Sequence, residues 1–298
     1  MNAPIMFNRR LSKKELDIWL DLLESNTDFG YMNRELATSF LTHEDAMSFV
    51  SSVKEEIIGG ATIYRDRTRL GIVLASVVVK EEFREMGAYS IIKSSLPFFK
   101  TVAIRDVEAL IPDDSSEGRM GFPGSLELDP WTKDVLERIG FEEKDTLYSY
   151  TMTIEEKKRT EQIDTLWDAQ PDLGKAKNLI WDSSKDTGLT NSLIWTALDF
   201  AANQGTLRTV TSEESMKLVS SLSVSGTKAI ISLAVSGSDL IEEEVASKLI
   251  AQIVRESQKD SILFPLVGKG QTDLIETVAD DVGGSLKRRS MTLMCKNL

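Results

Sequence analysis

One cysteine, Cys295, and one histidine, His43, are all that the 298 residues contain of either type. That excludes an internal disulfide and leaves no cluster with metal-ligand spacing. Cys/His or Ser/His/Asp catalysis would have to pass through His43, which lies in a helical pattern and reads as a solvated or hydrogen-bonded side chain near a helix start. Long apolar runs are missing too. The longest, Gly71 to Val79, is far short of the roughly 20 residues that a spanning helix needs, and the start MNAPIMFNRRLSKK has no apolar leader core. No membrane association and a cytoplasmic location are therefore expected. A basic stripe is also absent. The net charge is −12, with 18 basic and 27 acidic residues in positions 1–155 and 17 and 20 in the rest. Nucleic-acid binding relies on Lys and Arg neutralising phosphates, so it is not expected. A cationic or amine-bearing substrate suits the balance, and so does an acidic surface that only keeps the protein soluble.

What is present is ordinary globular material, 41% hydrophobic and 28% charged, enough for two domains with cores of their own. Leu16, Trp19, Leu20 and Leu23, and then Ala46, Phe49, Val50 and Val53, recur at helical spacing. They predict helices over 12–25 and 43–56 with Ser12 and Thr42 as N-caps. Residues 57–64 and 69–79 are rich in β-branched side chains and flank the polar turn Arg65-Asp66-Arg67-Thr68, predicting a β-hairpin. A helix over 89–100, a strand over 107–111, a helix over 130–139 closed by Gly140, and a strand over 141–154 follow. The charge-dense stretch EEKKRTE at 155–161 marks a boundary between domains 1–155 and 156–298. Beyond it, helices near 190–203 and 213–222 are expected. A strand over 228–235, a helix over 241–255, a strand over 262–267, a helix over 273–282 and a strand over 285–295 then repeat the order of residues 72–152, as two copies of one fold would.

The densest functional signal is Val78 to Ile92. A buried strand ending in Val77, Val78 and Val79 runs into the turn Arg84-Glu85-Met86-Gly87-Ala88-Tyr89-Ser90, and a helix opens at once. A helix start presents unpaired N–H groups and the positive end of the macrodipole, which favour a phosphate. Together with the hairpin before it and the distal Leu136-Glu137-Arg138-Ile139-Gly140-Phe141, this segment resembles the GNAT superfamily of N-acetyltransferases. The match covers about a third of the chain, and a degenerate second copy extends it.

The resemblance implies an α/β fold with a mixed sheet, acetyl-CoA as cosubstrate and a primary amine as acceptor. Val77 to Val79 would offer backbone hydrogen bonds to the pantetheine arm. Backbone N–H groups of Glu85 to Ser90 would hold the pyrophosphate beside Arg84, and Gly87 would allow its close approach. Several residues depart from the family pattern. Tyr89 stands where a small residue is usual, Leu136 where many relatives carry an acid tyrosine, and Asp129 where an asparagine is frequent. The central strand has no carboxylate, only Ser76. Asp113, Asp114, Glu117 and Glu127 are candidate bases and Tyr148 and Tyr150 candidate acids, though a solvated loop carboxylate or a packed strand tyrosine is the more ordinary role for each. In the second copy, Ser236 to Glu244 carries three glutamates at the helix start, which repel a pyrophosphate. Lys185 to Thr190 repeats the basic-x-x-Gly spacing as a helix-capping loop. A non-catalytic acyl-CoA-binding module is the competing reading. The second copy would shape the acceptor site or a homodimer surface.

Overall fold

The computed structural model describes residues 6–26, 29–31, 34–99, 105–113, 119–120, 127–154, 167–187, 192–237 and 240–298. In chain order they form β1 (Phe7–Arg10), α1 (Leu16–Asn26), β2 (Phe29–Tyr31), α2 (Arg34–Leu41), β3 (Ala46–Val53), β4 (Glu56–Asp66), β5 (Gly71–Val79), α3 (Arg84–Phe99), β6 (Asp106–Pro112), β7 (Arg119–Met120), α4 (Thr132–Ile139) and β8 (Glu142–Ile154). Then come α5 (Leu173–Thr187), α6 (Ser192–Asn203), β9 (Leu207–Ser212), β10 (Ser215–Ser221), β11 (Ser223–Ser225), β12 (Lys228–Ile230), β13 (Ala234–Ser236), α7 (Leu240–Glu256), β14 (Ser261–Val267), α8 (Thr272–Val282) and β15 (Gly284–Asn297). No helix among the described residues is long and apolar enough to cross a membrane. The chain divides into two units, residues 1–145 with 291–298, and residues 146–290.

In the first unit the strands run β1-β3-β4-β5-β6 and then the end of β15, so the last strand comes from the chain's C-terminus. Met291 to Asn297 pairs antiparallel with Pro112 to Asp106. The sheet is covered on both faces. A Cβ on Gly60 would meet the Trp19 ring of α1, whereas one on neighbouring Gly59 would meet Ile91 of α3. Successive residues of a strand face opposite sides, so α1 and α3 lie on opposite faces. The α3 and α4 side is an apolar core of Phe49, Ala61, Ile63, Leu74, Val77, Val79, Ile91 and Leu136.

In the second unit β8 pairs with β14, β14 with β12 and β12 with β11. A smaller sheet joins β13, β10 and β9, and α7 and α8 pack on Tyr150, Met152, Ile262 and Phe264.

Three expectations are corrected. Residues 46–53 form a strand paired with β4, not a helix. The helix before the sheet is α2, Thr42 follows its C-terminus, and His43 stacks on Tyr64 at 5.3 Å. Helical spacing misled there because β3 is buried on both faces, which removes alternation. Residues 215–221 likewise form strand β10. The single strand expected over 228–235 is two, β12 and β13, each in a different sheet.

Candidate functional site

β5 is buried along its whole length, yet it is paired on both edges only at its start. Gly71, Ile72 and Val73 pair with Asp106, Val107 and Glu108 of β6. From Leu74 onward β5 keeps β4 as its partner, through to Val79 opposite Gly59, and leaves β6. One edge of β6 is taken by β15, and on the other, which β5 has left, Leu110 bridges to Glu127 and accepts a hydrogen bond from Leu128 N–H at 2.7 Å. The two strands thus part around an opening. Val77 to Val79 stand on one side, and the buried carboxylates of Glu127 and Asp129, 2% and 5% exposed, stand on the segment bordering the other. At the parting β5 carries a bulge. Thr62 faces Ser76 and Ile63 faces Leu74, which leaves Ala75 as the extra residue.

The chain leaves β5 through Lys80 into a 3-10 turn, Glu81 to Phe83, and enters α3 at Arg84. The first turn of a helix holds N–H groups without an intrahelical acceptor. Here the Arg84 N–H is taken by the Glu81 carbonyl, and a helix that starts at Arg84 sends the Gly87 N–H to the Phe83 carbonyl, which leaves Glu85 and Met86 as the first-turn N–H groups. Helix geometry sends the N–H groups of Ala88, Tyr89 and Ser90 to the carbonyls four residues back. The Arg84 side chain donates from Nε to the Val79 carbonyl at 3.4 Å and lies 5.3 Å from the Trp131 ring centroid. It ties the end of β5 to the start of α4. Two cations lie over the Tyr89 ring, Lys93 Nζ at 5.2 Å and the Arg138 guanidinium at 5.4 Å from its centroid. Packing does not require glycine at position 87. A Cβ there would meet Met6, Ile91 and Phe83 at 3.6–3.9 Å, ordinary contact distances.

The candidate acids and bases are scattered. Tyr148 and Tyr150 pair with Val267 and Phe264 of β14 in the second unit. Their rings lie 6.4 Å apart, with Arg288 5.1 Å from the Tyr148 ring, and burial pushes the Tyr150 phenol up despite nearby Arg288. In the first unit the strand at the corresponding place is the end of β15, where Met291 faces Pro112 and Leu293 faces Leu110. Asp113 is exposed and accepts a hydrogen bond from Thr292 at 2.9 Å. Asp114 and Glu117 lie outside the described residues, as does Gly188 of the second basic-x-x-Gly stretch. Leu136 is fully buried.

The second unit repeats the parting of strands with a different filling. Lys228, Ala229 and Ile230 pair with Ser261, Ile262 and Leu263 of β14, as Gly71 to Val73 pair with β6. The chain then leaves β14 and joins β10 as β13. At its end Ser236 occupies the place of Val79. The Ser236 N–H donates to Gln271 Oε1 at 3.4 Å, and its carbonyl accepts from Ser183 Oγ at 3.0 Å. Gln271 and Ser183 are both buried, so side chains of this unit already satisfy the backbone groups of Ser236.

Sequence reasoning did not find the role of β15, because a strand's partner is not written in its own residues. It also missed Trp131 beneath Arg84, for which the pairing of a basic and an aromatic side chain was the available signal.

No protein-family model and no curated protein matches this sequence. Solved structures do. A candidate acetyltransferase from Pyrococcus horikoshii aligns over 100% of this chain and 91% of its own, with TM-score 0.67 and 14% identity. A tandem GNAT protein from the clavulanic acid biosynthesis pathway aligns over 98% of both chains, with TM-score 0.61 and 9% identity. A GCN5-related N-acetyltransferase from Sphaerobacter thermophilus aligns over 98% of this chain and 95% of its own, with TM-score 0.61 and 11% identity.

Proposed function

We propose that this chain, which carries the GNAT fold over its full length, binds acetyl-CoA in the first unit and transfers the acetyl group to a primary amine. The observation that carries the reading is the parting of β5 from β6 after Val73, with a helix start at the end of the same strand. An extended pantetheine arm fits an unpaired strand edge, and Leu74 to Val79 have such an edge on the side that β6 has left. Glu85 and Met86 would direct N–H groups at the pyrophosphate, with Gly87 allowing its approach. Arg84 would act indirectly, by fixing the end of β5 against Trp131.

The acyl donor supplies a thioester with a thiolate leaving group. The protein would have three tasks. The edge of β5 orients the acyl group. Buried Glu127 takes the proton that the amine loses on attack. The apolar face of Val77, Val79 and Leu136 excludes bulk water. In the second unit Gln271 and Ser183 fill the equivalent opening, so one cosubstrate per chain is expected.

A second reading, binding without turnover, draws on Leu136, which is fully buried and offers no proton for the leaving thiolate. Titration calorimetry with acetyl-CoA followed by a thiol-release assay over a panel of amines separates the two. Binding at one per chain with thiol release supports transfer, and binding without release on any amine supports the module. An absence of binding overturns both.

A further inference from the structure

Ser76 is the only polar side chain on β5. It is 2% exposed, and its hydroxyl has no hydrogen-bond partner among the described residues. A buried hydroxyl left unpaired is unfavourable, and native structures leave few of them. This one sits in the bulge where β5 leaves β6.

Two more buried hydroxyls lie in register with it. Ser48 on β3 faces Thr62 on β4, and Thr62 faces Ser76. Ser48 Oγ and Thr62 Oγ1 are hydrogen-bonded at 2.8 Å. Their neighbours Phe49, Ala61 and Val77 belong to the α3-side core, so the three hydroxyls form a row on the other face. Ser48 and Thr62 satisfy each other and neither is a partner of Ser76, so Ser76 keeps its own proton to give. The bulge also re-aims the Ser76 side chain next to the open edge.

We infer that the Ser76 hydroxyl is a hydrogen-bond donor to the carbonyl oxygen of the bound acyl thioester. This rests on the proposed acyl-CoA site and adds a donor where negative charge develops on that oxygen as the amine attacks. It also accounts for a hydroxyl in a strand that is otherwise wholly apolar.

The test uses the full chain and acetyl-CoA labelled with carbon-13 at the acetyl carbonyl, read by difference infrared spectroscopy. In the wild type the bound carbonyl band is expected below its position in water-free reference thioester. In Ser76→Ala it moves up. Calorimetry on Ser76→Ala is expected to show acetyl-CoA affinity reduced no more than about fivefold, the worth of one neutral hydrogen bond. Its melting temperature is expected to be unchanged or higher, since no internal partner is lost. The same band position in wild type and Ser76→Ala overturns the inference, as does a melting temperature that falls. Failure of the wild type to bind acetyl-CoA overturns the proposed function itself, and this inference with it.

Discussion

Gly87 tests the reading of the α3 start most directly, because its internal packing and its proposed ligand make opposite demands. A methyl group at position 87 would lie 3.6 Å from Met6 Sδ, 3.7 Å from Ile91 Cδ1 and 3.9 Å from Phe83 Cβ, without overlap. The steric term for Gly87→Ala is therefore near zero. Alanine also restricts the unfolded chain and favours the helix, so the substitution is expected to stabilise by about 0.5 kcal/mol. For a chain of this size that raises the melting temperature by roughly 1–2 °C. The ligand demands the reverse, because a methyl beside the first-turn N–H groups holds a phosphate away from them. Losing one or two charge-assisted hydrogen bonds at about 1.5–3 kcal/mol each lowers acetyl-CoA affinity by one to two orders of magnitude or more. Gly87→Glu adds charge repulsion and is expected to abolish binding. The assay pairs thermal unfolding with calorimetric titration. A Gly87→Ala protein that is destabilised would show the glycine to be structural, and one that binds acetyl-CoA as the wild type does would refute the phosphate site.

Gly60 is the opposite case, since a Cβ there would lie 2.2 Å from the Phe49 carbonyl oxygen; Gly60→Ala is expected to lose about 2–3 kcal/mol in urea unfolding, and a loss under 0.5 kcal/mol would contradict the β3–β4 register. Glu15 accepts two hydrogen bonds from Arg9, at 2.6 and 2.7 Å, and one from the Ser12 N–H at 3.1 Å. The Arg9 guanidinium first, and then Ser12, hold its carboxyl down at about 2. A depressed carboxyl stabilises above its ordinary range, near 4.5, and the contribution is lost as pH falls toward 2. With solvent screening, Glu15→Gln is expected to remove about 1 kcal/mol at pH 7 and to flatten the stability profile over that acid window; an unchanged profile would count against the pair. Burial, with Asp106 and Glu108 nearby, pushes the Cys295 thiol up to about 11. It is expected to react with a disulfide reagent at pH 8 far more slowly in the native protein than in denaturant, and equal rates would show that β15 does not stay paired with β6.

Much of the first unit could be read from the sequence. β4, β5 and β6 are β-branched runs between polar turns, α4 ends at Gly140 with its φ of +94°, and α3 follows the strand at once. The same features gave the order of elements at the end of the chain. Residues 46–53 escaped because apolar side chains at positions 46, 49, 50 and 53 satisfy a helical period by coincidence when both faces of a strand are covered. Residues 173–187, by contrast, form a helix for which no clear periodic pattern prepares, with Trp181 53% exposed on it. At the site, Val77 to Val79 and the α3 start were visible as local pattern. The Glu127 bridge to Leu110, the filling of the second opening by Gln271 and the hydroxyl row through Thr62 join residues distant in sequence, and local pattern contains no signal for them.

The pairing of β6 with β15 also sets the order in which the molecule can be finished during its synthesis. The edge of β6 that runs from Asp106 to Pro112 waits for residues 291–297, about 180 residues later in translation. At 5–20 residues per second that is a delay of roughly 10–35 s. Through that interval a buried-type strand edge, with Leu110 and Ile111 on it, has no partner and can capture another nascent chain. A ribosome that stops anywhere in the second half releases a first unit still missing a strand. Production of the acyl-CoA site we propose is thereby tied to synthesis of the whole chain.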